Sequence, residues 1–240
     1  MGKGLALALI AGPALIFLAV TVVGSYAFLP PLVERIVARD VQKSLGLGER
    51  PKVELHSDPP LAMLAGKFSG GRIYLEDTDL GVVRAGRVVI DLDPFDLDVL
   101  GSAKDGALRS EEPLSGTLRA VVWEEEISRL TKDEASVPVQ DVELERDLVL
   151  VRSEAPVLGF DVPFLVQGAL TLRRGSLVFE PRQMTALGAP VGEQLLAGVD
   201  FTYPLRRLPS GARITGVEVA EGHLVLSGEV ERIPLNESIG

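Results

Sequence analysis

The segment from Leu5 to Leu29 contains no charged side chain and is almost wholly apolar. Roughly 20 such residues suffice to cross the hydrocarbon core of a bilayer as a helix. The sequence therefore predicts a transmembrane anchor over residues 1–30 and a domain over residues 31–240. Pro13 does not oppose a span, because local adjustments in membrane helices re-satisfy the backbone groups that proline frees. Lys3 is the only charged side chain before Glu34, and positive charge on the cytoplasmic flank predicts a single-pass chain with its C-terminal domain outside the cell membrane. The competing reading is a secretory signal peptide, since Ser25-Tyr26-Ala27 has a small-x-small cleavage pattern. Its apolar region is usually about 7–15 residues, shorter than this run. Both readings export the domain.

The remainder has the length of one domain, because a single β-rich domain runs to roughly 200–250 residues. It contains no cysteine, which excludes disulfides, a thiol nucleophile and a zinc-thiolate cluster. The net charge of -10 falls almost entirely on this exported part. Such a domain repels the phosphates of nucleic acid. Anionic lipid headgroups repel it too, so affinity of the domain for a membrane has to come from apolar burial.

Pro30-Pro31 suits the first turn of a new helix, where proline loses nothing by lacking an N–H. From Leu32 to Leu45 the apolar residues Leu32, Val33, Ile36, Val37, Val41 and Leu45 recur at helical spacing, and Gly46 and Gly48 close the segment. This amphipathic helix either buries its stripe on a sheet or lies on the bilayer. Beyond it the period changes to two. Leu114, Gly116, Leu118, Ala120 and Val122 alternate with more polar residues, and so do Val162, Phe164, Val166, Gly168, Leu170 and Leu172. Further strands are expected at 52–57, 72–77, 82–93, 137–145, 148–152, 176–180, 213–220 and 223–230, with short helices near 124–132 and 191–199. Some strands are apolar on both faces, as with Leu165 and Ala169 opposite Val166 and Leu170. The class is therefore α+β, with a large, curved, mostly antiparallel sheet that packs one face on the long helix or encloses an apolar space. Periodicity does not separate a filled core from a cavity, and close packing is the ordinary state of interiors.

Catalytic chemistry has little support. His56 and His223 are the only histidines, and no metal-ligand spacing is present, so neither a metal nor another cofactor is expected. Ser57-Asp58 beside His56 reads as a polar strand end entering a turn at Pro59-Pro60. Glu124-Glu125-Glu126 is the acidic first turn that a helix prefers. Asp91, Asp93, Asp96 and Asp98 lack the central glycine and terminal glutamate of a calcium loop, and read as a solvated strand end. The expectation is a protein that is not an enzyme.

The apolar stretch Pro59-Pro60-Leu61-Ala62-Met63-Leu64-Ala65-Gly66 interrupts the strands where a polar turn is usual, as a lid or a membrane contact. With Ser44-Leu45-Gly46-Leu47, Val53-Glu54-Leu55 and Gly66-Lys67-Phe68 around it, the order of elements resembles the LmeA-like phospholipid-binding family of actinobacterial envelope proteins. Trp123-Glu124-Glu125-Glu126-Ile127-Ser128-Arg129-Leu130 is similar to that family's strand-to-helix step. Ala189-Pro190-Val191 and the segment from Tyr203 to Ile214 are similar to its proline-flanked C-terminal part. The chain departs from the family's glycine-x-proline-phenylalanine-leucine loop, having Ser57-Asp58-Pro59-Pro60-Leu61.

The resemblance implies a tubular lipid-binding (TULIP-like) domain, in which a long helix packs along a strongly curved sheet and acyl chains enter between them. It also implies a phospholipid partner and a role in envelope lipid or glycolipid handling. The expected apolar lining is Ile36, Val37 and Val41 from the helix, Leu61, Met63 and Leu64 from the loop, and Leu118, Val122, Val166 and Leu170 from the strands. The alternative is a non-enzymatic assembly scaffold that binds a protein through its sheet.

Overall fold

The period-two segments form strands, and their pairing yields open sheets. The computed structural model describes residues 31, 33–43, 47–80, 83–98, 110, 112–134, 138–157, 160–191, 201–205, 208 and 211–233. The anchor expected at 5–29 and the helix expected near 191–199 lie outside the described residues, except Val191. Among the described residues no helix is long and apolar enough to cross a membrane. Contacts divide the chain into two compact units, Met1–Arg72 with Asp93–Glu112 and Leu235–Gly240, and Ile73–Leu92 with Pro113–Pro234.

The first unit holds helix α1, described over residues 33–43. Val33, Val37, Ala38 and Val41 are buried and Arg35, Arg39 and Lys43 are exposed, as the helical spacing requires. The long helix of the expected fold is described only over this stretch, without Leu45. Strand β1 (Lys52–His56) follows, and the Leu55 N–H donates to Glu34 Oε1 of α1 at 3.3 Å. The apolar stretch is not an open loop. It forms a 3₁₀ turn over Pro60–Ala65 that Gly66 closes with φ 78°, a left-handed value that glycine adopts without a Cβ penalty. Strands β2 (Lys67–Phe68) and β5 (Phe95–Asp96) pair antiparallel, and the Phe68 and Phe95 rings stack at 5.0 Å.

The second unit carries two sheets. The first contains β3 (Gly70–Asp79), β4 (Arg84–Leu92), β6 (Leu114–Trp123), β14 (His223–Ile233) and β13 (Ala212–Ala220) in that spatial order. β3 begins in the first unit, and β1 is its other neighbour. In the second sheet the order is β11 (Ala189–Pro190), β10 (Ser176–Ala186), β9 (Phe160–Arg173), β8 (Leu148–Val157) and β7 (Val139–Glu145), and β12 (Phe201–Pro204) also pairs with β10. The expectation of one large sheet is corrected to two six-stranded ones. Alternation specifies which face of a strand is buried, and carries no information on which strand it pairs with.

Helix α2 (Glu124–Glu134) begins directly after β6. Its acidic first turn does structural work in addition to facing the helix dipole. Glu124 Oε2 accepts from the Leu144 N–H at 2.6 Å, and Glu126 Oε1 accepts from the Arg84 N–H at 2.9 Å. Ile127, Leu130 and Thr131 are buried. Tyr203 donates its hydroxyl to Thr131 Oγ1 at 3.1 Å, which docks α2 on the second sheet.

Candidate lipid-binding site

An apolar ligand surface requires side chains that are apolar, lie on one face and remain reachable. On the second sheet the register places such residues in rows. Val166 on β9 stands between Val151 on β8 and Met184 on β10, Phe164 between Ser153 and Ala186, and Val162 opposite Ala155. Toward the middle of the sheet the same face carries Val149, Leu170, Leu177 and Phe179, all buried. Toward the β8–β9 turn, Val162, Phe164, Met184 and Ala186 are only half-buried. One apolar face thus passes from packed core to accessible surface along β9.

Its shape depends on two irregularities. The β9–β10 register shifts between Pro181 and Gln183, where proline has no N–H to give to a ladder. At Gly168 a Cβ would stand 2.5 Å from Cε2 of Phe179 and 2.5 Å from the Glu180 carbonyl oxygen, so the Phe179 ring lies across the strand where there is no side chain. Phe179 in turn stacks on Phe201 at 5.5 Å. The one buried polar group in these rows, the Ser153 hydroxyl, donates to the Pro138 carbonyl. No buried side-chain nitrogen or oxygen among the described residues is left without a partner.

The residues expected to line the site fall in different places. Ile36, Val37, Val41 and Met63 belong to the first unit, and Leu118, Val122, Val166 and Leu170 to the second. Val41, Val122 and Val166 are 0% exposed, so protein atoms meet them on every side. Val37, Leu118 and Leu170 are buried as well, while Ile36 and Met63 are half-buried. Leu61 and Leu64 lie in the 3₁₀ turn, with side chains outside those described. Leu118 and Val122 share the core face of β6, whereas Val166 and Leu170 share that of β9 in the other sheet. Val162, Phe164, Met184 and Ala186 were missed. The alternation along β9 marks Val162 and Phe164 as facing the same way as Val166, but not as the accessible end of that face.

The polar candidates are engaged structurally. Ser57 donates its hydroxyl to the Lys67 carbonyl at 2.7 Å and to the Pro59 carbonyl at 3.2 Å. Glu126 accepts a paired interaction from Arg129, with Nη2–Oε1 at 2.7 Å and Nε–Oε2 at 3.0 Å. These bonds hold its carboxyl below the usual range against the opposing effect of burial, with the Arg84 N–H adding to them. Asp91, Asp93, Asp96 and Asp98 are exposed. Among the described residues no group of three or more histidine, cysteine, aspartate or glutamate side chains could hold a metal ion.

No curated protein and no solved structure matches the chain. A sequence profile of one family, described as LmeA-like phospholipid-binding, matches residues 25–229. That span takes in α2 and both sheets up to the last residues of β14, and the chain belongs to the LmeA-like phospholipid-binding family.

Proposed function

We propose that this protein is a membrane-anchored phospholipid-binding protein of the cell envelope, with its domain on the outer side of the cytoplasmic membrane. An acyl chain lies against the accessible apolar rows of the second sheet, with Val162, Phe164, Met184 and Ala186 as its contacts and the buried Val166 and Leu170 packed behind them on the same face. The observation that carries this reading is the passage of one apolar face from buried to half-buried within a single strand, in a chain of a phospholipid-binding family. Each CH₂ removed from water is worth about 0.8 kcal/mol, so a few methylenes on these rows give useful affinity without any charged contact. Ile36 and Met63 supply half-buried apolar surface of the same kind in the first unit. The role is non-enzymatic, and consists of holding lipid during envelope lipid or glycolipid handling.

Phe164→Glu tests the binding surface. Its position is half-buried, so a carboxylate there still reaches water while opposing an acyl chain. Phospholipid retained per mole of folded protein should fall below that of Phe164→Ala, which loses the same covered phenyl surface without adding a charge. Equal retention by variant and wild type would remove this face from the proposal. For the topology, a reporter active only outside the cytoplasm and fused after Gly240 should be active. A silent reporter with a correctly inserted control would reverse the localisation.

A second reading, a scaffold that binds protein, rests on Trp123. This side chain is 49% exposed on the face of β6 opposite Val122. It packs over Gly86 and stands edge-on to His223 at 5.7 Å. Exposed tryptophans are enriched at binding surfaces. Trp123→Ala should leave lipid retention intact on either reading, and abolish partner capture only if the scaffold reading holds.

A further inference from the structure

We propose that the β10–β11 hairpin is a membrane-docking tip, which sets Leu187 at the boundary between headgroups and acyl chains of a phospholipid bilayer. The inference rests on the lipid-binding reading above, since it names the surface from which lipid is taken.

The turn itself provides the first argument. β10 is bounded by two-residue turns at both ends, Arg174-Gly175 closing Arg173 on Ser176 and Leu187-Gly188 closing Ala186 on Ala189. Arg174 and Gly175 have φ 51° and 75°, and Leu187 and Gly188 have φ 53° and 79°. Positive φ at both positions favours asparagine, aspartate or glycine, and is uncommon for leucine. Leu187 gains no burial in return, being 78% exposed. Folding does not call for a leucine here, because the same chain closes the opposite turn with an arginine. The turn is also held in place: the Leu187 N–H donates to the Pro163 carbonyl at 3.4 Å and the Val191 N–H to the Met184 carbonyl at 2.9 Å.

Charge and exposure identify the occupant. Residues 162–166 and 183–191 include no charged side chain in a protein of net charge -10. Asp161 and Arg182 flank these segments and are exposed. On the neighbouring strand Arg152 pairs with Leu165 and Glu154 with Pro163, so the charges around this surface are of both signs, and anionic headgroups repel it less than they repel a face that carries the domain's net negative charge. Val162, Phe164, Met184 and Ala186 on one face of the sheet and Pro163 and Leu165 on the other all keep accessible surface. A protein partner docking on a sheet covers one face, whereas a bilayer edge meets both. Ala186 precedes Leu187 and pairs with Phe164, so the tip runs straight into the rows proposed to hold the acyl chain.

The chain has no native cysteine, so Leu187→Cys and Arg174→Cys each give a unique site for an environment-sensitive fluorophore. The full chain is reconstituted with phosphatidylcholine vesicles, with and without phosphatidylglycerol, carrying quenchers on the acyl chains. The label at 187 should shift to the blue and be quenched severalfold more than the label at 174, and should stay so at high salt, because apolar burial is not screened. Equal quenching at both sites overturns the proposal. Shielding at 187 without quenching by lipid overturns it in favour of a protein occupant or a second copy. Leu187→Asn, which suits the turn, should leave bound phospholipid per mole unchanged and slow extraction of lipid from vesicles severalfold; unchanged extraction also overturns it. If the wild type binds no phospholipid but the label at 187 is quenched, the lipid-carrier reading fails and the docking tip stands.

Discussion

Tyr203 and Thr131 are hydrogen-bonded at 3.1 Å although 72 residues separate them in the chain. Thr131 donates its own hydroxyl to the Ile127 carbonyl at 2.7 Å, which leaves a lone pair of its oxygen to accept from the tyrosine. Both side chains are buried. A strand of the second sheet is thereby tied to α2, and the helix that follows the first sheet is fixed on the face that continues to the candidate site.

Tyr203→Phe should cost about 0.5–1.5 kcal/mol, the net value of a typical intramolecular hydrogen bond. A double-mutant cycle with Thr131→Val, read from urea midpoints, should show coupling between the two positions. Additive effects would mean that the contact contributes nothing beyond packing.

Gly168→Ala should be more damaging, because the added carbon meets the Phe179 ring and the Glu180 carbonyl oxygen, each at 2.5 Å. The backbone oxygen cannot swing aside as a flexible side chain would, and overpacking of this kind costs about 1–3 kcal/mol. A melting temperature equal to that of the wild type would show that the ring does not lie across this strand.

Glu126 gives a pH dependence of known sign. Its folded-state carboxyl is held below the ordinary range, chiefly by the hydrogen bonds from Arg129. Stability from the pair is fully present above the unfolded-state value and is lost as pH falls through the folded-state one. Glu126→Gln should lower stability by about 0.2–1 kcal/mol at neutral pH, as for exposed ion pairs. The difference from wild type should shrink on acidification below the usual glutamate range. A difference independent of pH down to full protonation would assign the effect to packing.

The strands and the acidic start of α2 were legible in the sequence because each follows from local rules, period two and the helix dipole. Strands β8 and β10 run on to Val157 and Ala186, past the ends expected near Arg152 and Glu180. Pro156 is accommodated near the end of its strand and Pro181 at a register shift. Two sheets in place of one could not be read, since pairing depends on partners far away in the chain. The same limit governs the site. Alternation put Val162, Phe164, Val166 and Leu170 on one face, but the position along β9 at which cover ends depends on the whole tertiary structure.

Val166→Phe should therefore behave as a core enlargement. Val166 is 0% exposed and stands between Val151 and Met184, so the extra volume should cost about 1–3 kcal/mol. Unfolding monitored with and without added phospholipid checks this. Unchanged or raised stability would show that space for an acyl chain reaches as deep as Val166.

The most direct test of phospholipid binding is quantitative mass spectrometry of lipid co-purifying with the full chain, compared with the Phe164→Glu variant prepared identically. The comparison is needed because both samples contain the apolar run from Leu5 to Leu29, so that any lipid held there cancels between them. Wild type should retain phospholipid in excess over the variant, in a fixed ratio to protein. Equal amounts in both samples, at a ratio that washing reduces to zero in parallel, would contradict the assignment of phospholipid to this sheet face.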